Sequence, residues 1–387
     1  MAVARLFLPL IGDRDLPFRG YQYFLFFEKI ILDHDCSSIK VKMDEQDKQI
    51  FNQILIHPLF YQTIQEIKDR NVELPIIPIN EQNNFHSLAF PNGVSSHFSI
   101  LEPEVKYQLN ANEGNKLLID HATVVAYDES IDRFEALEGT AYLTSHAIVL
   151  HGSNDFIPSV FLTFNFYTRS DLILNNSRYI KRSEDPERSR KDDYIVDRSE
   201  FLLQRVPPNS LLLIDGPLIG GMMSSKTVKL NECLLKKDII PIFIVKNSTS
   251  NIVTDNYEVL RGKFNSDMHW AFKTLKRGER TPLFQYVDQT NPRNAKVFCY
   301  LKSYDKSPQR IEFHLDTFEK YGAELSRLLD LIHYLTLVQG DPKNPQVRTI
   351  AIAERFARES LKLYNLTLLM RRLHITETMN QNRFGWD

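Results

Sequence analysis

Residues 209–227, NSLLLIDGPLIGGMMSSKT, join an apolar run to an acid and a glycine-rich turn, and two kinds of chemistry fit them. A phosphate could lie on the turn, because Gly220, Lys226 and Thr227 stand where a P-loop has a glycine and its Lys-Ser/Thr pair. Alternatively, the carboxylate of Asp215, at the tip of the predicted strand, could hold a divalent cation. The first alternative predicts a nucleotide-binding protein and the second a metal-dependent one.

The phosphate alternative is the weaker of the two. A P-loop wraps backbone N–H groups around the phosphate, and its second glycine permits that conformation, but Ser225 occupies this position. Pro217 also separates the strand from the first glycine, and proline is poorly tolerated in a central strand. A P-loop NTPase is therefore the less favoured function.

Three acids on successive predicted elements could converge on one cation. Asp215 ends an apolar strand, the place where open α/β sheets bind ligands. Glu200 precedes it on a predicted helix, and Asp120 lies in or at the end of another apolar run, where an unpaired charge would be costly. Each acid alone could equally cap a turn or lie at the surface. Together they predict oxygen ligands for one or two Mg²⁺ or Mn²⁺ ions.

The elements that must position these acids are strands and helices of an α/β domain. Apolar, β-branched and aromatic runs predict a strand meander, and two near-continuous apolar runs joined by a helix predict a βαβ unit, while the C-terminal third is helical. This order predicts a mixed sheet with flanking helices. The predicted strands are 115–130, 140–152, 159–169, 209–216 and 238–247. The predicted helices are the second half of 177–206, which contains Glu200, and 226–238, 314–340 and 344–374.

The length of 387 residues favours more than one domain. We predict an N-terminal accessory region, residues 1–112, and a second domain, residues 113–387. The first contains an amphipathic helical pattern over 44–70, broken near Pro58, and a Pro/Asn-rich stretch over 74–93 that cannot be one regular element.

Net charge and cysteine content limit which ligands the protein could bind. A net charge of -2 gives no global attraction to nucleic acid or acidic membranes, so any polyanion must bind a local patch. Cys36, Cys233 and Cys299 lack CxxC spacing, which excludes a cysteine zinc site and favours a reducing compartment.

Apolar stretches are too short to indicate a membrane protein. Residues 1–15 are interpreted as a strand because they lack a signal-peptide cleavage pattern, and residues 21–35 are interrupted by Glu28 and Lys29. We expect a cytoplasmic protein without membrane contact.

Two motifs resemble the NurA nuclease family. LLLIDGPLIGG, residues 211–221, is similar to its strand-tip motif, and IPIFIVKNSTSNIV, residues 240–253, follows in order at a compatible spacing. The resemblance covers about residues 115–360. The first family motif, Asp-Gly-Ser, corresponds to IDHATV with Asp120, or alternatively to VAYDES with Asp128.

The last family motif differs here. GDPKNPQVRTIAIAERFA, residues 340–357, keeps the proline and the helix but has Ala351 where the family has a histidine. Glu354 on the same helix is one alternative for the fourth ligand, and His314 and His333 are others. All three could instead be ordinary helix residues.

The resemblance implies an RNase H-like α/β fold and a DNA nuclease that depends on Mn²⁺ or Mg²⁺. It implies Asp120, Glu200 and Asp215 as ligands, and Lys246 as a group that steadies a phosphate, although a simple surface lysine fits too. It also implies a homodimer and a partner, a HerA-like hexameric ATPase, in DNA end processing, DNA repair or anti-phage defence. Without the histidine, a catalytically weakened DNA-binding or ATPase-regulating scaffold is the alternative.

A charged strip at residues 179–191 contains five cations and several acids. It could follow a DNA backbone or form a solvated loop. The cations that would contact DNA are Lys181, Arg182, Arg188, Arg190 and Lys191.

Overall fold

The computed structural model describes residues 62, 64, 65, 67, 97–120, 123–151, 156–174, 180–220 and 224–378. The four isolated residues are helical, as the amphipathic pattern predicts. The rest of that pattern, the N-terminal strand and the Pro/Asn-rich stretch lie outside the described residues. The domain division at residue 112 stays a prediction, although residues 98–108 supply two strands to the sheet of the following domain.

The described elements are strands and helices, and the C-terminal part, from Leu315 to Arg372, is helical. None of the helices in the described ranges is both long enough and apolar enough to cross a bilayer. In chain order the elements are β1 (Phe98–Ile100), β2 (Tyr107–Gln108), α1 (Ala111–Asp120), β3 (Thr123–Glu135), β4 (Thr140–His151), β5 (Phe156–Thr168), α2 (Asp171–Leu174), β6 (Lys181–Arg182), α3 (Pro186–Arg205), β7 (Ser210–Asp215), α4 (Ser224–Leu235), β8 (Ile240–Val245), α5 (Ile252–Asn256), α6 (Asp267–Thr274), β9 (Glu279–Arg280), β10 (Phe284–Val287), β11 (Ala295–Lys302), β12 (Gln309–His314), α7 (Leu315–Tyr321), a 3₁₀ turn (Gly322–Glu324), α8 (Leu325–Gln339), α9 (Arg348–Lys362) and α10 (Leu366–Arg372).

The strands form one mixed sheet in the order β1-β10-β11-β12-β8-β7-β3-β4-β5-β6, with β9 pairing β11 and β2. β3, β4 and β5 are an antiparallel meander, whereas β7 runs parallel to β3 and β8 parallel to β7. The central part of the sheet therefore has the spatial order β5-β4-β3-β7-β8. If these five strands are numbered along the chain, the order is 3-2-1-4-5. The predicted RNase H-like mixed sheet with flanking helices, including its meander and its βαβ unit, is confirmed.

The two faces of the central strands bury different cores. Side chains alternate between faces along a strand, so Val125 and Tyr127 of β3 face one side and Val124 and Ala126 the other. Helices α3 and α4 cover the first face, and α1, α8 and the start of α9 cover the second. Asp128 follows Ala126 by two residues, so its side chain lies on this second face as well.

One predicted element is wrong. The sequence pattern predicts a strand that includes residues 115–120, but Ala111–Asp120 is a helix whose Leu117 is buried and whose Gly114 lies directly against the Asp330 carbonyl of α8. A solvated loop was one of two alternatives for the charged strip. Residues 186–191 of the strip form the first turns of α3, with Asp185 as N-cap accepting the Arg188 N–H.

Candidate metal centre

Asp215 is the last residue of β7, as predicted, at the carboxyl end of a central strand. The chain leaves the sheet directly after it, because Gly216 has a φ of 109°, a conformation that disfavours residues with a Cβ. The Gly216 N–H still donates to the Ile244 carbonyl of β8 over 2.9 Å. The strand end is therefore fixed up to the residue that follows the acid.

Asp128 lies beside Asp215 on the neighbouring strand. β3 and β7 are parallel and pair Tyr127 with Ile214, so the next residue on each strand is an aspartate. Asp128 is buried, with 8% of its surface exposed. Burial, followed by the Asp215 carboxylate, raises the pKa of Asp128 to about 7. The two carboxylates therefore repel each other in a partly desolvated position.

Glu354 brings a third carboxylate from α9. This helix buries Ile350, Ala353 and Ala357 against the sheet, and Glu354 follows on the side of the strand ends. One carboxylate oxygen each of Asp128, Asp215 and Glu354 lies within 4.8 Å of the others. The structure thus brings together three residues. Asp215 was predicted as a ligand, Glu354 was one alternative for the fourth ligand, and Asp128 was the alternative to Asp120.

Lys246 follows β8 and points into this group of acids. Its Nζ lies 2.6 Å from Asp215 Oδ2 and 3.3 Å from Glu354 Oε2. Burial alone would lower the pKa of Lys246, but the surrounding carboxylates outweigh it and raise that pKa above its ordinary value. Lys246 is therefore a charged member of this group of acids and not a simple surface lysine.

The donor set fits a divalent cation. Mg²⁺ and Mn²⁺ prefer oxygen ligands, and three carboxylates supply them within one small volume. Two cations, the ammonium of Lys246 and the guanidinium of Arg358, which pairs with Glu354, offset the three negative charges only in part. The pKa of Asp128 is raised first by burial and then by the Asp215 carboxylate, and a bound cation would favour the charged form of both acids.

The other two predicted ligands lie on different elements. Asp120 is the last residue of α1, and Glu200 is an exposed residue of α3. Among the described side chains, the acidic group does not include Glu200. The ligand roles of Asp120 and Glu200 stay predictions. The signal for Asp128 was present in the sequence, because it opens a polar stretch, DES, directly after the apolar run of β3.

The two histidines considered as ligands are engaged elsewhere. His314 caps α7, where its Nδ1 accepts the Asp316 N–H, and its Nε2 lies 2.9 Å from the Arg293 carbonyl. His333 is buried in α8, with its Nδ1 2.9 Å from Ser303 Oγ. The group of described metal-ligating side chains around Asp215 contains neither of them.

The side chains that a P-loop would need also have other partners. The N–H of Gly220 donates to Ser224 Oγ, and the ammonium of Lys226 pairs with Asp192. The hydroxyl of Thr227 is buried and accepts a hydrogen bond from Arg198. The turn is therefore held by internal contacts of its own.

Four of the five cations of the charged strip pair with neighbouring acids. Lys181 lies 2.8 Å from Asp193, and Arg182 pairs with Asp171. Arg190 and Lys191 both pair with Glu187, at 2.8 and 3.5 Å. Arg188 is exposed on α3. Contact of the strip with DNA stays a prediction.

Comparison with known proteins gives one family and several similar structures. The NurA domain model matches residues 123–359, more than half of the chain, whereas no curated protein matches. The NurA nuclease from Sulfolobus solfataricus is 13% identical with a TM-score of 0.47, over 82% of this chain and 98% of that one. A NurA bound to dAMP and manganese is 10% identical with a TM-score of 0.38, over 76% and 93%. The endonuclease V from Bacillus subtilis is 10% identical with a TM-score of 0.34, over 66% and 90%.

Proposed function

The chain belongs to the NurA domain family, and we propose that it is a metal-dependent DNA nuclease that hydrolyses phosphodiester bonds. The observation that carries this proposal is the group of Asp128, Asp215 and Glu354 at the carboxyl end of the central strands. Such a group of hard oxygen donors, in a family of nucleases, supports a catalytic cation rather than a structural one.

We propose Asp128, Asp215 and Glu354 as the residues that hold Mn²⁺ or Mg²⁺. A bound ion of this kind activates water and stabilises the leaving oxygen in an in-line displacement at phosphorus. Lys246, whose ammonium contacts Asp215 and Glu354, would neutralise negative charge that develops on the phosphate. Asp128 and Asp215 sit on paired strands, so their separation is fixed before DNA arrives.

The partners are part of the same proposal. Family membership supports a homodimer that works with a HerA-like hexameric ATPase, either in DNA end processing and repair or in anti-phage defence. Co-purification of the chain with a HerA-type ATPase, and its mass in solution, test these two assemblies separately.

Two observations favour the scaffold alternative. Lys246 already forms an ion pair with Asp215 at 2.6 Å, and Ala351 occupies the position of the family histidine. If the lysine neutralised the acids permanently, the chain would bind DNA or regulate an ATPase without cutting. Titration with Mn²⁺ separates the two functions, because the scaffold needs no metal.

Cleavage of end-labelled single- and double-stranded DNA tests the proposal. The protein is assayed with Mn²⁺, with EDTA and as Asp215→Ala, each with and without a HerA-type ATPase. We expect cutting with Mn²⁺ that EDTA and the substitution both abolish. No cutting by the folded wild type under any condition would favour the scaffold.

A further inference from the structure

A buried carboxylate lies behind the acidic group. Glu312 of β12 is fully buried, with 0% of its side chain exposed. Its Oε1 lies 2.5 Å from Lys296 Nζ and 2.8 Å from Arg310 Nε, and both cations are almost fully buried. Its Oε2 accepts the backbone N–H of Leu218 over 2.8 Å. One side chain therefore ties two neighbouring cations to a turn from another part of the chain.

Stability alone is a poor explanation for such a network. Removing three charged groups from water costs several kcal/mol per ion, and well-packed apolar side chains of similar volume often stabilise a core equally well or better. Lys296, Arg310 and Glu312 occupy positions in β11 and β12 where apolar residues would pack. The network is better explained by what it orients.

The first segment that it orients follows Asp215. The chain continues from Asp215 through Gly216 and Pro217 to Leu218, whose N–H donates to Glu312. Gly216, between them, donates to the Ile244 carbonyl. The turn that begins at the acid is thus held at both of its available backbone donors, since Pro217 has none.

The second segment follows Lys246. Arg310 Nη1 donates to Ser248 Oγ and to Ser250 Oγ, each over 2.6 Å. Both serines belong to the loop that starts immediately after Lys246 and β8. The same buried network therefore fixes the loop that carries the lysine of the acidic group.

We propose that Glu312, through Leu218 and through Arg310, is a positioning residue that fixes Asp215 and Lys246 relative to each other for metal binding. This inference rests on the proposed function, since it assigns Glu312 a role at the same metal centre. Glu312 touches neither DNA nor metal in this account. It acts through the two segments that it holds at the ends of β7 and β8.

The test compares three proteins in full-length form with the wild type. Glu312→Gln removes the buried charge. Ser248→Ala/Ser250→Ala removes the two acceptors of Arg310, together with the hydrogen bond from Ser250 to Asp267 and those between the two serines, and leaves the buried charges in place. Glu102→Gln is the control, because Glu102 is a partly buried carboxylate that likewise holds an arginine, Arg280, and one backbone N–H, that of Leu283. Among the described contacts, Glu102 has none with the turn after Asp215 or the loop after Lys246.

Three quantities are measured: Mn²⁺ affinity by calorimetry, kcat and KM for DNA cleavage, and Tm. We expect Glu312→Gln and the double serine variant to weaken Mn²⁺ binding about 10- to 100-fold, as loss of outer-shell partners does, and to lower kcat with KM within about twofold. Glu102→Gln should lower Tm while Mn²⁺ affinity and kcat stay at the wild-type level.

The outcomes separate this inference from the proposed function. If the wild type binds Mn²⁺ and cuts DNA, and the folded Glu312→Gln and serine variants do both equally well, the positioning role is wrong and the function stands. If the wild type neither binds Mn²⁺ nor cuts, both are wrong. Should Glu312→Gln fail to fold, the serine variant decides alone, because it leaves all three buried charges in place.

Discussion

The charges of five side chains determine what this site can do. One carboxylate oxygen each of Asp128, Asp215 and Glu354 lies within 4.8 Å of the others, and Lys246 and Arg358 compensate for part of their charge. Such an arrangement is costly in a partly buried place unless a further cation binds. The chemistry therefore depends on the identity of each acid rather than on the overall charge of the chain.

Glu354→Gln tests the least expected of these acids. We expect Mn²⁺-dependent cleavage to fall by at least about 100-fold, because loss of even an outer-shell partner costs about 10- to 100-fold. Glu359→Gln is the matched control on the same helix, since Glu359 is exposed and pairs only with Lys362 in the described contacts. Equal activity of the two variants, in the same cleavage assay, would remove Glu354 from the proposed ligand set.

The acids differ in how well the sequence alone predicts them. Asp215 follows an apolar run and a glycine comes next, so the local pattern predicts its position at the end of a strand. Asp128 was only an alternative to Asp120. Which of the two lies beside Asp215 depends on how β3 pairs with β7, and the local pattern does not give this register. Glu354 reaches the group through the packing of α9 on the sheet, which no local pattern encodes.

At the scale of elements, the turn after β7 decides where Asp215 points. Gly216→Ala should lower the free energy of unfolding by about 1–3 kcal/mol, because φ is 109° there, and should also weaken Mn²⁺ binding. The strain is conformational, since a Cβ at this position would meet nothing within 4 Å. Chemical denaturation and calorimetry measure the two effects.

Gly262→Ala is the control for that prediction. Gly262 also has a positive φ, of 74°, and equally open space around it, but it lies in the loop between α5 and α6. We expect a loss of stability with unchanged Mn²⁺ affinity. If Gly216→Ala behaved in the same way, the turn would have no role in placing Asp215.

Secondary structure was predicted correctly where the sequence pattern is typical of only one kind of element. The βαβ unit was recognised because two near-continuous apolar runs flank a helix with charged residues. The run before β3 was assigned wrongly, since a short apolar stretch fits a buried strand and a buried helix equally well. Its packing against α8, close enough to need Gly114, settles it as a helix.

At the scale of the whole molecule, two buried histidines predict sensitivity to acid. Burial lowers the pKa of His146 and of His333 to about 4, from an ordinary value of 6.5. The unfolded chain therefore binds more protons than the folded one between these values. The contribution of each neutral histidine to the free energy of unfolding is fully present above about pH 6.5. It is lost as the pH falls towards 4, and the loss is at most about 3 kcal/mol per histidine.

Urea denaturation at pH 8 and pH 5 measures this dependence. His333→Asn should reduce the difference between the two midpoints, since it removes one of the two groups while keeping a partner for Ser303. His374→Asn, at an exposed position, serves as the control. An identical pH dependence in all three proteins would show that buried histidines do not govern it.

DNA affinity is also a property of the whole molecule, because the net charge of -2 leaves binding to local patches. If the charged strip contacts the backbone, Lys181→Ala/Arg182→Ala should weaken binding to all sequences and reduce the salt slope by up to about 2. Lys320→Ala/Lys362→Ala changes the charge equally at two other exposed, paired lysines. Equal effects of the two double variants, measured in EDTA, would leave the strip as a solvated surface.

The most direct test of the central claim is a calorimetric titration of Mn²⁺ into the wild type and into Asp128→Asn, Asp215→Asn and Glu354→Gln. A metal centre formed by these acids predicts binding by the wild type that each substitution weakens by at least about 100-fold, with Glu359→Gln unchanged. Wild-type binding that persists in all three variants, or no binding at all in the folded wild type, would contradict the claim.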